Sequence, residues 1–329
     1  MVFKVLIQNL KIATAPQSTY LLVGVKIWAR TAGVFSGLTV RNCEITGHDY
    51  GIPPTLSSTD AGAELTDITL EGNDIHDNIG GIVAVFEAPL TNYIRRYRVL
   101  NNKVHHNGQN WRANVVLGGI LHKYPSSGTD PTRAYKDVIV DGNEVWDNEG
   151  YSISLYNVYN ETFMSRVSRN HVHDNNQSEA FDSHSIFVAR SFGVVVEENL
   201  IENNSGYAAG PHGTACGVLI DTDATINEGG DGCIVRRNVM DGGWPGYTMG
   251  GGGNESANGQ AGVFVIDNTN VLIEDNYIRG FFSGIGTYAN TGGTPATKLN
   301  GLVVRGNVIV DLLVSESDKN AVGIAVRSG

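Results

Sequence analysis

A chain of 329 residues, 41% apolar and only 17% charged, carries enough apolar side chain for a real core in one large domain or two ordinary ones, which excludes a disordered protein. Its net charge of −11 argues against nucleic acid as the partner, because neutralising phosphates needs grouped cations. No apolar run approaches the roughly 20 residues of a membrane-spanning helix, so no membrane partner is expected.

The opening MVFKVLIQNLKIA alternates like a strand and lacks the order of a signal peptide. With 41 glycines against 9 prolines, tight turns rather than Pro-rich linkers follow. Cys43, Cys216 and Cys233 match no zinc or redox spacing and read as buried thiols. Further along, a repeat emerges. Asn73, Asn102, Asn143, Asn170, Asn199, Asn238, Asn276 and Asn307 are each preceded three residues earlier by an aliphatic residue and followed two residues later by an apolar one. Asn9 and Asn42 fit with the asparagine one residue early, which brings the count to ten coils.

After each asparagine comes a variable gap, then a small residue and an alternating run such as GGIVAVF, YSISLYN, HSIFVAR, CGVLID or AGVFVID. Each run has the period of a short strand. No segment has a helical period. Three short strands per repeat, stacked on their counterparts about 4.8 Å apart, make an all-β fold: a single right-handed parallel β-helix over residues 1–329. Strand patterns at both ends point to a piece of a longer chain, or to an oligomer or neighbouring domain covering the ends.

The asparagines then have a packing role, each bonding to the coils above and below. Asn78, Asn107, Asn148, Asn175 and Asn204 repeat five residues later as turn residues. His76, His105 and His173 share a register with Trp146, so an outward stack explains them without a metal. Long insertions fall at Tyr124 to Lys136, Ser205 to Thr214, Thr222 to Gly232 and Gly242 to Gln260. They are expected to project on one side and wall a groove.

Aligning the last strand of each coil on Ile82, Ile120, Ile153, Ile186, Val218, Val263, Ile285 and Ile324 puts another row outward, three residues on. That row reads Val85, Lys123, Tyr156, Ala189, Asp221, Ile266, Tyr288 and Arg327. With Tyr124, Arg190 and Asp267 beside it, it offers acids, bases and sugar-stacking aromatics, as a saccharide groove requires.

Phe181-Asp182-Ser183-His184 resembles the Gly-Phe-Asp-Pro-His segment of mannuronan C5-epimerases, and Cys216 to Asp221 resembles their strand one coil later that ends in a catalytic aspartate. The resemblance implies a parallel β-helix acting on a uronate polymer by removing and returning the C5 proton; related lyases remove it and eliminate the 4-O-linked sugar. It implies His184 as acid/base, with Asp182 and Asp221 orienting it or neutralising the substrate carboxylate. Lys123 and Arg190 would stabilise the enolate, and Tyr156 could supply a phenol. Strand parity puts His184 inward with Ile186, but a turn at SEAFDSHS would break that parity. The chain departs from the family at Glu179, where the epimerases carry tyrosine, and at Ser183, where they carry proline.

Two other readings stand beside this one. A glycoside hydrolase could draw on Glu179, Asp182, Asp221, Asp223 and Asp267, and an acidic protein suits a neutral glycan. A non-catalytic glycan-binding or phage-spike-like β-helix would instead show an apolar outer stripe. No cofactor is required by any motif, and Ca²⁺ is the cation that would bridge an acidic protein to a polyuronate. A polysaccharide partner places the protein outside the cell or at its surface.

Overall fold

The computed structural model describes residues 4–14, 22–56, 62–86, 92–108, 118–123, 135–175, 184–202, 216–221, 231–242, 261–289, 299–313 and 321–328. Three parallel sheets run the length of the molecule, each a path of ten strands. Sheet A runs from Val5–Gln8 to Val303–Arg305, sheet B from Lys11–Ala13 to Val308–Val310, and sheet C from Ile27–Ala29 to Val322–Ser328. The chain visits A, B and C in turn, so each circuit is one coil, and ten coils stack into a parallel β-helix as expected.

The repeat maps directly onto this geometry. The aliphatic residue before each asparagine is an inward position of sheet A (Leu70, Val99, Val140, Val167, Val196), and the apolar residue after it is the centre of a sheet B strand (Ile75, Val104, Val145, Val172, Ile201). Ile82, Ile120, Ile153, Ile186, Val218, Val263 and Ile285 fill the core from sheet C. Each such side chain, fully buried, contributes about 1.5–3 kcal/mol relative to exposure.

Between sheets A and B the corner is always two residues long. Its first residue takes a left-handed conformation in every coil: Asn9, Asn42, Gly72, Asn101, Gly142, Arg169, Glu198, Arg237, Asp275 and Gly306 all have positive φ. From the third coil onward its second residue is the ladder asparagine. Asn143 is typical: its Oδ1 accepts from the backbone N–H and the Nδ2 of Asn102, and its own Nδ2 donates to Val99 O and Asn170 Oδ1. The ladder starts at Asn73, not earlier. Asn9 and Asn42 occupy the left-handed position instead, and the ladder position of the second coil is Cys43, whose N–H donates to Asn73 Oδ1. Asparagine tolerates both environments, which is why its spacing slips by one residue there.

A second, shorter ladder joins sheets B and C. Asn78, Asn107, Asn148 and Asn175 link by amide bonds of 2.9–3.2 Å, while Asn204 lies outside the described residues. Small residues recur where sheet C begins because the next coil passes close: a Cβ on Gly119 would lie 2.4 Å from Ser152 O. All three cysteines are buried, and none forms a disulfide. On sheet A, Arg96 pairs with Asp67 through two bonds of 2.6 and 2.9 Å, and Ser36 donates to the same carboxylate. That network pulls the Asp67 pKa down to about 2, chiefly through the Arg96 hydrogen bonds. The strand after the first long insertion begins at Tyr135, so that insertion ends by residue 134 rather than at Lys136.

Candidate functional site on the outer face of sheet C

The corner from A to B never varies in length, so every insertion falls where the chain enters sheet C or where it leaves it. Residues 174–185, 203–217 and 242–260 lead into the sheet, and residues 222–233 lead out of it. Sheet C is thus the face on which the sequence departs from the repeat, and its outer side chains are the candidate site.

The middle of that outer row is apolar and buried, with two phenylalanines in it. Phe187 pairs in register with Leu219, Leu219 with Phe264, and Phe264 with Gly286, whose missing side chain leaves room for the Phe264 ring. Phe187 stacks on Tyr151 with centroids 5.2 Å apart and meets Tyr156 edge to face at 5.2 Å. With Ala189, Cys216 and Ala261 these residues form an apolar cluster separate from the core inside the coils.

His184 stands where this cluster meets the edge of the sheet. The parity expectation resolves toward the outer face: the imidazole packs against Tyr151 at 5.9 Å and Phe187 at 5.6 Å instead of pointing inward with Ile186, while of the SEAFDSHS segment only His184 and Ser185 lie among the described residues. It is only 1% exposed. Burial pushes its pKa down to about 3 by desolvating the charged form, so the ring is neutral at physiological pH. Nδ1 accepts a hydrogen bond from the Cys216 N–H at 3.3 Å, which places the one ring proton on Nε2. As held here, His184 is a hydrogen-bond donor at Nε2.

The row three residues beyond the inward aliphatics is formed as expected: Tyr156 pairs with Ala189, Ala189 with Asp221, and Ile266 with Tyr288. Tyr156, Asp221, Ile266 and Tyr288 are partly exposed, whereas Ala189 is covered. Arg190 and Asp267 follow this row at left-handed corner positions, with φ of 49° and 44°, and both are buried. Lys123 lies in the row by its backbone pairing with Val85. Asp182, Glu179 and Tyr124 lie outside the described residues. The structure does not bring His184 and Asp221 together. His184 is level with Cys216, before the four-residue strand Val218–Asp221, and Asp221 stands at that strand's far end, about 10 Å from its start.

Tyr151 is the neighbour that sequence reasoning missed. It sits two residues before inward Ile153, as His184 sits two before Ile186, and the backbone bond from Ser152 N–H to His184 O joins the two positions. The strand alignment carries this signal, since Tyr151 and His184 both stand two residues before an inward aliphatic.

On sheet B, the expected outward stack is present: His76 on His105 at 5.0 Å, His105 on Trp146 at 4.1 Å and Trp146 on His173 at 5.8 Å. Among the described residues, one group carries donors suited to a metal ion: Glu144, His171 and His173, whose ligand atoms lie within 4.8 Å of one another. Also among the described residues, no helix is long and apolar enough to cross a membrane.

Three parallel sheets closed into coils, with ladders at the corners, define a parallel β-helix protein. Residues 24–226 match the model for the right-handed beta helix region, and the chain belongs to that family. No curated protein matches the chain in sequence. The chain is also similar, at low identity, to solved structures. The A-module of a mannuronan C-5 epimerase from Azotobacter vinelandii is 16% identical with a TM-score of 0.43, over 100% of this chain and 78% of that one. A lacto-N-biosidase from Eubacterium ramulus is 14% identical with a TM-score of 0.38, over 94% of this chain and 56% of that one. A surface adhesin of Streptococcus pneumoniae is 10% identical with a TM-score of 0.40, over 88% of this chain and 80% of that one.

Proposed function

We propose that this protein is a carbohydrate-active enzyme whose substrate, a uronate-containing polysaccharide, lies along the outer face of sheet C. The reaction is transfer of the C5 proton. A base takes that proton, and the electron pair passes into the C6 carboxylate as an enolate. In epimerisation a proton returns to C5 from the opposite side. In elimination the pair instead forms the C4–C5 double bond, the C4–O bond breaks and the leaving oxygen takes a proton.

The observation that carries this reading is the neutral imidazole of His184 packed beside the Tyr151 ring at the edge of the face that the insertions flank. Together with the Phe181 to His184 motif, it supplies a phenol and an imidazole, the two groups that a two-sided proton transfer needs. Tyr151, only half-buried, is the group that meets substrate. His184, with its proton on Nε2, donates toward the substrate carboxylate or the leaving oxygen. Tyr156 and Tyr288 offer stacking surfaces further along the groove, and Asp221, at the opposite end of the strand from His184, orients substrate there. An extracellular or cell-surface location follows from the substrate class.

The test is incubation with polyuronates and with neutral glycans, following absorbance of unsaturated ends, reducing ends and C5 stereochemistry together. Unsaturation identifies a lyase, and altered stereochemistry without new ends identifies an epimerase. Reducing ends without unsaturation would replace this reading with glycoside hydrolysis.

One observation favours a non-catalytic, spike-like reading. Leu200, Val239, Tyr277 and Val308 lie in register on sheet B, each 36–50% exposed, as an apolar outer stripe. Light scattering that finds a trimer, dissociated by Val239→Lys, together with no activity on any glycan, would favour it.

A further inference from the structure

We infer that the outer face of sheet B binds a divalent transition-metal ion of the zinc class, held by His171, His173 and Glu144. His171 and His173 are alternate residues of one strand and so project to the same side. Glu144 is the register partner of His171 on the preceding coil, and Glu202 is the partner of His173 on the following one. Two imidazoles therefore lie between two carboxylates set diagonally across three coils.

The shared stack on Trp146 accounts for the plane of the His173 ring. It does not account for His171, which belongs to a different row. Nor does it account for what His173 lacks. Its Nδ1 bonds Asp174 at 2.8 Å, while Nε2 is buried and has no hydrogen-bond partner among the described residues. The nearest carboxylate oxygen, on Glu144, is 3.6 Å away, beyond hydrogen-bond reach. That separation suits two ligands of one ion: with metal–ligand bonds near 2.1 Å, tetrahedral neighbours lie about 3.4 Å apart.

Each histidine also has its own orienting carboxylate. Asp174 holds His173, and Glu202 sits 2.8 Å from His171 Nε2. This is the arrangement by which metal-binding imidazoles are fixed in tautomer and ring direction. Two nitrogens and one carboxylate, with water as a fourth ligand, favour Zn²⁺, Co²⁺ or Cu²⁺ over Ca²⁺, which takes six to eight oxygens.

Titration of the full chain with Co²⁺ tests the site. One equivalent should give the visible bands of a four-coordinate ion and quench Trp146; Zn²⁺ should displace it and Ca²⁺ should not. His171→Ala and His173→Ala should each abolish the bands. Asp174→Asn should weaken binding by about 10–100-fold. His105→Ala should bind as the unaltered protein does. Circular dichroism of each variant without metal checks that it is folded. Absence of saturable Co²⁺ binding, or binding that survives the His171→Ala, His173→Ala double variant, overturns the proposal.

Discussion

Replacing His184 by glutamine turns the burial of its imidazole into a measurable quantity. In the unfolded chain a histidine titrates near 6.5, whereas in the folded protein burial holds His184 to about 3. Below pH 6.5 the unfolded chain therefore takes up a proton that the folded chain refuses. Stability must then fall as pH falls, by about 1.4 kcal/mol per pH unit across the interval between the two values. From pH 6.5 to 4.5 that amounts to roughly 2.3 kcal/mol, because the unfolded ring is half protonated at the upper limit, and over the whole interval to about 5 kcal/mol. Glutamine does not titrate and can still accept from the Cys216 N–H. Urea unfolding of both proteins at pH 7.5, 6.5, 5.5 and 4.5 isolates the effect, because all other groups cancel in the difference. The advantage of the unaltered protein over His184→Gln should shrink by about 2–3 kcal/mol between pH 6.5 and 4.5. Nitrogen chemical shifts of the folded protein at pH 6 should report a neutral ring protonated at Nε2. A pH-independent difference, or a folded-state midpoint near 6.5, would refute the claim that burial desolvates this ring.

Tyr151→Phe keeps the stacking on Phe187 and removes only the hydroxyl, so kcat on the active polyuronate should drop by about 10²–10⁴-fold with an unchanged melting temperature; full activity would remove Tyr151 from the chemistry. Asn143→Ala strips the acceptor from two Asn102 N–H groups and the donor from Val99 O. Denaturant unfolding should show a loss of roughly 3–6 kcal/mol, against about 1 for Asn307→Ala at the less buried end of the ladder. Gly119→Ala should be strongly destabilising because its Cβ meets Ser152 O at 2.4 Å, whereas Gly323→Ala, with nothing within 4 Å, should be neutral or slightly stabilising in the same assay. Asp67, held to about 2 by Arg96, stabilises the fold above its unfolded value near 3.9 and loses that effect as pH falls through 2, so Asp67→Asn should flatten the acid limb of the thermal melting profile.

The sequence by itself determined the coil. Leu70, Asn73 and Ile75 and their counterparts recur because every coil meets the same neighbours: an inward place in sheet A, a corner whose amide must bond up and down, and an inward place in sheet B. Identical environments select similar residues, and a repeated selection is legible without coordinates. The His76, His105, Trp146 and His173 stack was readable for the same reason. What departs from the repeat was not readable. Only the tertiary structure placed His184 beside Tyr151 and a strand's length from Asp221, and brought Glu144 to His171 and His173. Each of these contacts occurs once. Its position depends on connections of unequal length into and out of sheet C, or on diagonal neighbours across coils, and no period in the chain encodes a contact that is made a single time.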